Sequence, residues 1–232
     1  MAFITSDPKI LGLAFLVGVI PSLLWLWFWL KEEQDPEPKG LLAIVFILGM
    51  MSVVAVLPIE KFIQGLVDSH NAQIILWASA EEILKYLAVL IVLYKTNHAH
   101  KPVEWPIYMI TAALGFAALE NALFLIKPLS VSGATVALLT GQLRFMGSTL
   151  LHTIASGVLG IAIGVSWRTE GLRKFWHVFL GFIAAIALHS AFNFFIIRND
   201  GNDFLKVFAF LWVVTIIVML LFEKVRRMGQ ES

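Results

Sequence analysis

Glu81, Glu82 and Lys85 fall in the run Ala80-Glu81-Glu82-Ile83-Leu84-Lys85-Tyr86, near the middle of an apolar stretch covering residues 72–94. That stretch is long enough to cross a bilayer. An ionised group at such a depth costs about 2.5–3.5 kcal/mol on insertion scales, so it calls for a partner or a task. Glu81 stands four residues and Glu82 three residues before Lys85, so either carboxylate can pair with the ammonium on one helix face. Adjacent side chains point about 100° apart, so one glutamate faces a site while the other orients or neutralises it.

Other apolar segments carry Glu120, His152 and His189. Phe116 and Glu120 share a helix face with Asn121 beside them, and Asn193 lies one turn beyond His189. Arg144, Ser148, His152 and Ser156 repeat at i, i+4 and are expected to form one polar stripe along a single segment. Groups of these types inside a membrane suit either catalysis or ion handling.

Positioning them requires long helices. Of 232 residues, 59% are hydrophobic and 14% charged, against about 25% charged in soluble domains. A bilayer core needs about 20 apolar residues per helix. Seven segments qualify: about 10–30, 41–59, 72–94, 105–126, 145–167, 176–197 and 204–222. The expected fold is an all-α polytopic membrane protein, a bundle of about seven transmembrane helices, with one further short surface or re-entrant helix allowed. The segments leave no room for a separate soluble part, so residues 1–232 are read as one integral-membrane domain. The first segment is expected to stay as a span, because it is longer than a signal-peptide core and no small-x-small cleavage pattern follows it. The absence of cysteine excludes disulfides, thiolate metal sites and cysteine nucleophiles. Membrane lipid is the expected surrounding partner, nucleic acid is not a partner, and oligomeric state is left open.

Basic residues set the expected orientation. One side holds Lys31, Lys39, Lys95, Lys101, Arg168, Arg173, Lys174, Lys224, Arg226 and Arg227, and the other Lys9, Lys61, Lys127, Arg144, Arg198 and Lys206. The positive-inside rule then puts the N-terminus outside and the C-terminus in the cytoplasm of a cell membrane. At about 1.5 Å rise per residue, Glu81, Glu120, His152 and His189 all fall roughly 10–14 Å from the outer ends of their segments. Four helices running in alternating directions thus bring their polar residues to one layer.

Each feature has a structural reading when taken alone. The Glu–Lys pair can tie helices together, His189 and Asn193 can hydrogen-bond a neighbouring helix, and the serine stripe can be a packing face. Three carboxylates, a lysine and two histidines at one depth incur more desolvation than helix adhesion explains. A proton- or cation-coupled carrier remains the alternative function. Against it, there is no inverted repeat and no matched pair of Gly/Pro-broken segments. A non-enzymatic immunity or assembly protein is a third reading.

Glu81-Glu82-x-x-Lys85, Phe116-x-x-x-Glu120-Asn121, the isolated His152 and His189-x-x-x-Asn193 follow in that order on successive helices. In this the chain resembles the PrsW-type intramembrane proteases. It is more distantly similar to the CAAX prenyl endopeptidases and Abi-type membrane proteins, which carry a histidine where Glu120 stands. The loop Gln34-Asp35-Pro36-Glu37-Pro38 also resembles the family's acidic, proline-punctuated loop, with Asp35 where glutamate is more usual.

The resemblance implies hydrolysis of a peptide bond in a membrane-anchored protein substrate, such as an anti-sigma-type regulator, on the extracytoplasmic side. It implies a site built from Glu81, Glu82, Lys85, Glu120, His152, His189 and Asn193. Peptide hydrolysis needs a water made nucleophilic and a stabilised oxyanion. In a metal version, Glu120, His152 and His189 would hold zinc with one position open for water, and Glu81 would be the general base. In a metal-free version Glu81 still activates the water, with His189 and Asn193 donating to the oxyanion. Both versions stay open at this level.

Overall fold

The computed structural model describes residues 7–31, 37–96, 98–132, 134–198 and 204–230. Among these there are eight α-helices: α1 (Pro8–Leu30), α2 (Lys39–Leu66), α3 (His70–Thr96), α4 (Glu104–Lys127), α5 (Ala134–Met146), α6 (Ser148–Val165), α7 (Gly171–Arg198) and α8 (Phe204–Gln230). A π-helical turn, Pro128–Ser132, follows α4, and a 3₁₀ turn, Ser166–Arg168, follows α6. The protein is an all-α polytopic membrane protein. Helices are the expected solution, since a bilayer offers no water to satisfy backbone N–H and C=O groups.

Among the described residues six stretches are long and apolar enough to cross a membrane: α1, α2, α4 with its π turn, α5 and α6 taken together, α7 and α8. The seventh long helix, α3, misses that standard because Glu81, Glu82 and Lys85 sit in its middle. Its 27 residues still reach about 40 Å, more than the roughly 30 Å hydrocarbon core.

α4 is the axis of the bundle. Every residue from 106 to 118 is buried, and the helix packs against α1, α2 and α6. Small residues permit this. A Cβ on Gly49 of α2 would collide with the Ala112 backbone, and one on Gly115 of α4 would collide with the Phe46 carbonyl, so the two helices cross nearly backbone to backbone. Gly18 against Ala118 and Ala122, and Gly160 against Pro106, bring α1 and α6 equally close to α4. α6 also packs on α7 and α8, and α3 on α2 and α7. The outer helices turn Leu16, Leu24, Trp27, Phe210, Ile216 and Leu220 outward, the surface a lipid environment requires.

The segment containing Arg144 differs from expectation. The stripe Arg144-Ser148-His152-Ser156 is not continuous on one helix, because α5 ends at Met146 and α6 begins at Ser148. Gly147 between them, at φ −103°, ψ −76°, is a distorted single-residue turn in the right-handed helical region. α5 is the additional short helix, and Arg144 approaches the site from it. Helix ends also extend beyond the predicted segments, most clearly in α2, which runs on to Leu66. Gln34, Asp35 and Pro36 lie outside the described residues, whereas Glu37 accepts a hydrogen bond from the Tyr108 hydroxyl.

Candidate active site

α3 supplies Glu81, Glu82 and Lys85, all buried and the last two fully so. Glutamate and lysine are good helix formers, so the charged run does not interrupt the helix. α4 supplies Phe116, Glu120 and Asn121; α6 supplies Ser148, Thr149, His152 and Ser156; α7 supplies His189. Their side chains meet between the four helices.

Glu82 is fully satisfied. Its Oε1 accepts from Lys85 Nζ at 2.8 Å and from His189 Nδ1 at 3.0 Å, and its Oε2 accepts from Ser156 Oγ at 2.6 Å. Glu120 is engaged through one oxygen, at the accessible edge of the cluster. Its Oε2 accepts from Arg144 Nη2 at 2.5 Å, Ser148 Oγ at 3.3 Å and His152 Nε2 at 3.2 Å. The Arg144 guanidinium lies 3.9 Å from the Phe124 ring centroid and donates through Nε to Asn121 Oδ1 at 2.6 Å. Asn121 in turn donates to Thr149 Oγ1 at 2.8 Å.

These bonds fix both histidine tautomers, because a carboxylate only accepts. His189 carries its proton on Nδ1, facing Glu82, which leaves the Nε2 lone pair 3.7 Å from Glu81 Oε2. His152 carries its proton on Nε2, facing Glu120, which leaves the Nδ1 lone pair 3.8 Å from the same oxygen. The two imidazoles meet edge to face with centroids 4.8 Å apart, and Phe116 flanks His152 at 5.2 Å. Lys85 Nζ donates to His152 Nδ1 at 2.9 Å and sits 4.2 Å from the Phe116 ring centroid.

Glu81 is the exception. Its Oε2 is buried with no hydrogen-bond partner, although Lys85 Nζ lies 3.5 Å away. A buried acceptor left unsatisfied costs about 1–3 kcal/mol, so its presence asks for an explanation. Two imidazole lone pairs and this oxygen face one another across a small gap. The Glu81, His152 and His189 ligand atoms all lie within 4.8 Å of one another, the one such group among the described residues.

This donor set fits a divalent metal ion. Two neutral imidazoles and one carboxylate are a familiar zinc environment. Each histidine gives its other N–H to a carboxylate, the outer-shell arrangement that orients metal-binding imidazoles. The grouping differs from the expected one by one carboxylate: Glu81 takes the place given to Glu120, whose Oε2 is held by Arg144, Ser148 and His152. Asn193 is half-buried one turn from His189, with no side-chain hydrogen bond among the described residues. Arg144, Ser156 and Phe116 join the network without having been assigned to the site. The i, i+4 relation of Ser148 and Ser156 to His152, and of Phe116 to Glu120, was the signal that pointed to them.

The geometry is matched by relationship. The family model described as PrsW family intramembrane metalloprotease matches residues 37–222. The chain belongs to the PrsW family. Relatives named Protease PrsW include one from Bacillus subtilis, 28% identical over 206 residues, covering 84% of this chain and 88% of the relative. Another, from Shouchella clausii, is 27% identical over 209 residues, covering 87% and 93%. A third, from Geobacillus kaustophilus, is 25% identical over 187 residues, covering 79% of each. No solved structure matches the chain. As a PrsW-family member the protein is an intramembrane protease, with a protein substrate and a lipid surrounding.

Proposed function

We propose that Glu81, His152 and His189 form the reaction centre, and that Glu82 and Glu120 hold the two histidines in the tautomers that leave their lone pairs pointing inward. The observation that carries this reading is the buried Glu81 Oε2, without a hydrogen bond and facing both imidazoles. Glu82 holds three donors across both oxygens and Glu120 holds three on Oε2, so where no metal is bound Glu81 Oε2 is the oxygen placed to meet a water and take its proton. A zinc ion bound by Glu81, His152 and His189 would supply a water whose pKa is lowered to about 7 and would polarise the scissile carbonyl. Lys85 holds Glu82 against His189 and offsets the buried negative charge. Asn193, one turn from His189, is the donor proposed for the oxyanion.

The substrate proposed is a membrane-anchored protein of the anti-sigma-regulator type, cut near the extracytoplasmic half of a plasma membrane. Support comes from the common depth of Glu81, Glu120, His152 and His189 along their segments and from the lysine and arginine asymmetry, which puts the C-terminus in the cytoplasm. Cleavage of candidate single-span proteins in proteoliposomes, by wild type and Glu81→Gln, with and without a strong chelator, tests the chemistry. Loss of cleavage in the variant and in chelator is expected; full cleavage in chelator by protein free of metal would remove zinc from the scheme. Cysteines introduced at Lys39 and Lys174 should label from the cytoplasmic side alone, and labelling from outside would overturn the orientation.

A further inference from the structure

The cation position of the Glu81–His152–His189 group is reached by a cation of the chain's own. Lys85 Nζ is fully buried, 2.9 Å from the His152 Nδ1 lone pair and 3.5 Å from Glu81 Oε2. Those are two of the three atoms that would bind a metal ion. His152 Nδ1 has one lone pair, so it cannot accept from the ammonium and bind a metal at the same time.

We propose that Lys85 is a tethered competitor for the metal site: its ammonium and a divalent cation occupy the same ligands in alternation, and metal enters by displacing Lys85 from His152. The inference rests on the metal reading of the site given above. Lys85 keeps a place to go, because Glu82 Oε1 holds it at 2.8 Å independently of His152. Charge supports the exchange. Glu81, Glu82 and Lys85 sum to −1, while Glu120 and Arg144 neutralise each other. A divalent ion brings the centre to +1 with Lys85 present and to zero without it. Removing Lys85 therefore removes both the steric competitor and the like charge, which acts at close range in a medium of low dielectric.

The test is titration of cobalt(II), a spectroscopic stand-in for zinc, into detergent-purified wild type and Lys85→Met, with affinity set by chelator competition. Lys85→Met should bind one ion at least about a hundredfold more tightly than wild type. It should show the visible absorption of a low-coordinate nitrogen–oxygen site, and adding His189→Ala should abolish that signal. Lys85→Gln, which keeps a hydrogen-bond donor beside Glu82, serves as the second variant if Lys85→Met does not fold, and the same tightening is expected. Equal affinity in wild type and the folded variant would overturn the competition while leaving the metal reading intact. No binding by either protein would overturn both.

Discussion

Two carboxylate–histidine pairs do the same chemical job in different surroundings. Glu82 holds His189 in a sealed position, with no exposed side-chain surface on Glu82 and about 1% on His189. Glu120 holds His152 at an edge where its own side chain is 22% exposed and its partner Arg144 comes from the short helix α5. Both bonds select a tautomer and aim a lone pair inward. The sealed pair also neutralises Lys85, so losing Glu82 harms stability as well as the site. The edge pair is neutralised by a residue that reaches in from outside the four site helices. One pair is built into the bundle and the other is latched onto it.

That comparison can be broken at several points. The largest effect is expected where both pairs aim. Glu81→Gln keeps size and hydrogen bonding but cannot take a proton, so cleavage in proteoliposomes should fall about 10²–10⁴-fold with thermal stability unchanged. A stable variant cleaving at the wild-type rate would show that the pairs orient histidines toward something other than the reaction. Next comes Glu82→Gln, which takes from Lys85 its 2.8 Å ion pair in the sealed layer. Breaking a buried pair costs roughly 3–5 kcal/mol, so unfolding should shift by that order alongside lost cleavage. Adding Lys85→Met should restore stability and not activity.

Glu120→Gln sharpens the contrast. Removing an outer-shell partner of a metal-binding histidine typically costs about 10–100-fold in affinity or activity. Here that loss is expected without the destabilisation predicted for Glu82→Gln, and a matching destabilisation would erase the distinction between the pairs. Arg144→Gln should have the smallest effect on cleavage, under about tenfold, because the ion pair is partly exposed. Its signature should be faster hydrogen exchange across residues 134–146 as α5 loosens. Unchanged exchange there would mean that α5 is held by its apolar contacts and not by the latch.

Much of this molecule is legible along the chain. Apolar segments of bilayer length locate the long helices, because the cost of unsatisfied backbone groups in lipid leaves few alternatives. The i, i+3 and i, i+4 spacings mark Glu82 and Glu81 as partners for Lys85, and Ser156 as a neighbour of His152, since helical periodicity is a local property. Periodicity also sends adjacent Glu81 and Glu82 to different neighbours, Glu82 to Lys85, His189 and Ser156 and Glu81 towards the two imidazoles.

What periodicity cannot supply is the rotation and depth of one helix relative to the next. Whether His152 meets Glu120 through Nε2 or Glu81 near Nδ1 depends on how α6 seats against α3 and α4, and that is decided by backbone approach at positions such as Gly160 and Pro106. The grouping of Glu81, rather than Glu120, with the two histidines follows from that seating and from Arg144 claiming Glu120. Arg144 reaches Glu120 from α5, which gives way to α6 at Gly147, a junction that an unbroken i, i+4 pattern conceals. The sequence by itself therefore determined which helices form and which polar residues they carry inward. Only tertiary packing decided which buried oxygen was left without a hydrogen bond, because hydrogen bonds between helices are set by distances of a few tenths of an ångström that no local pattern encodes.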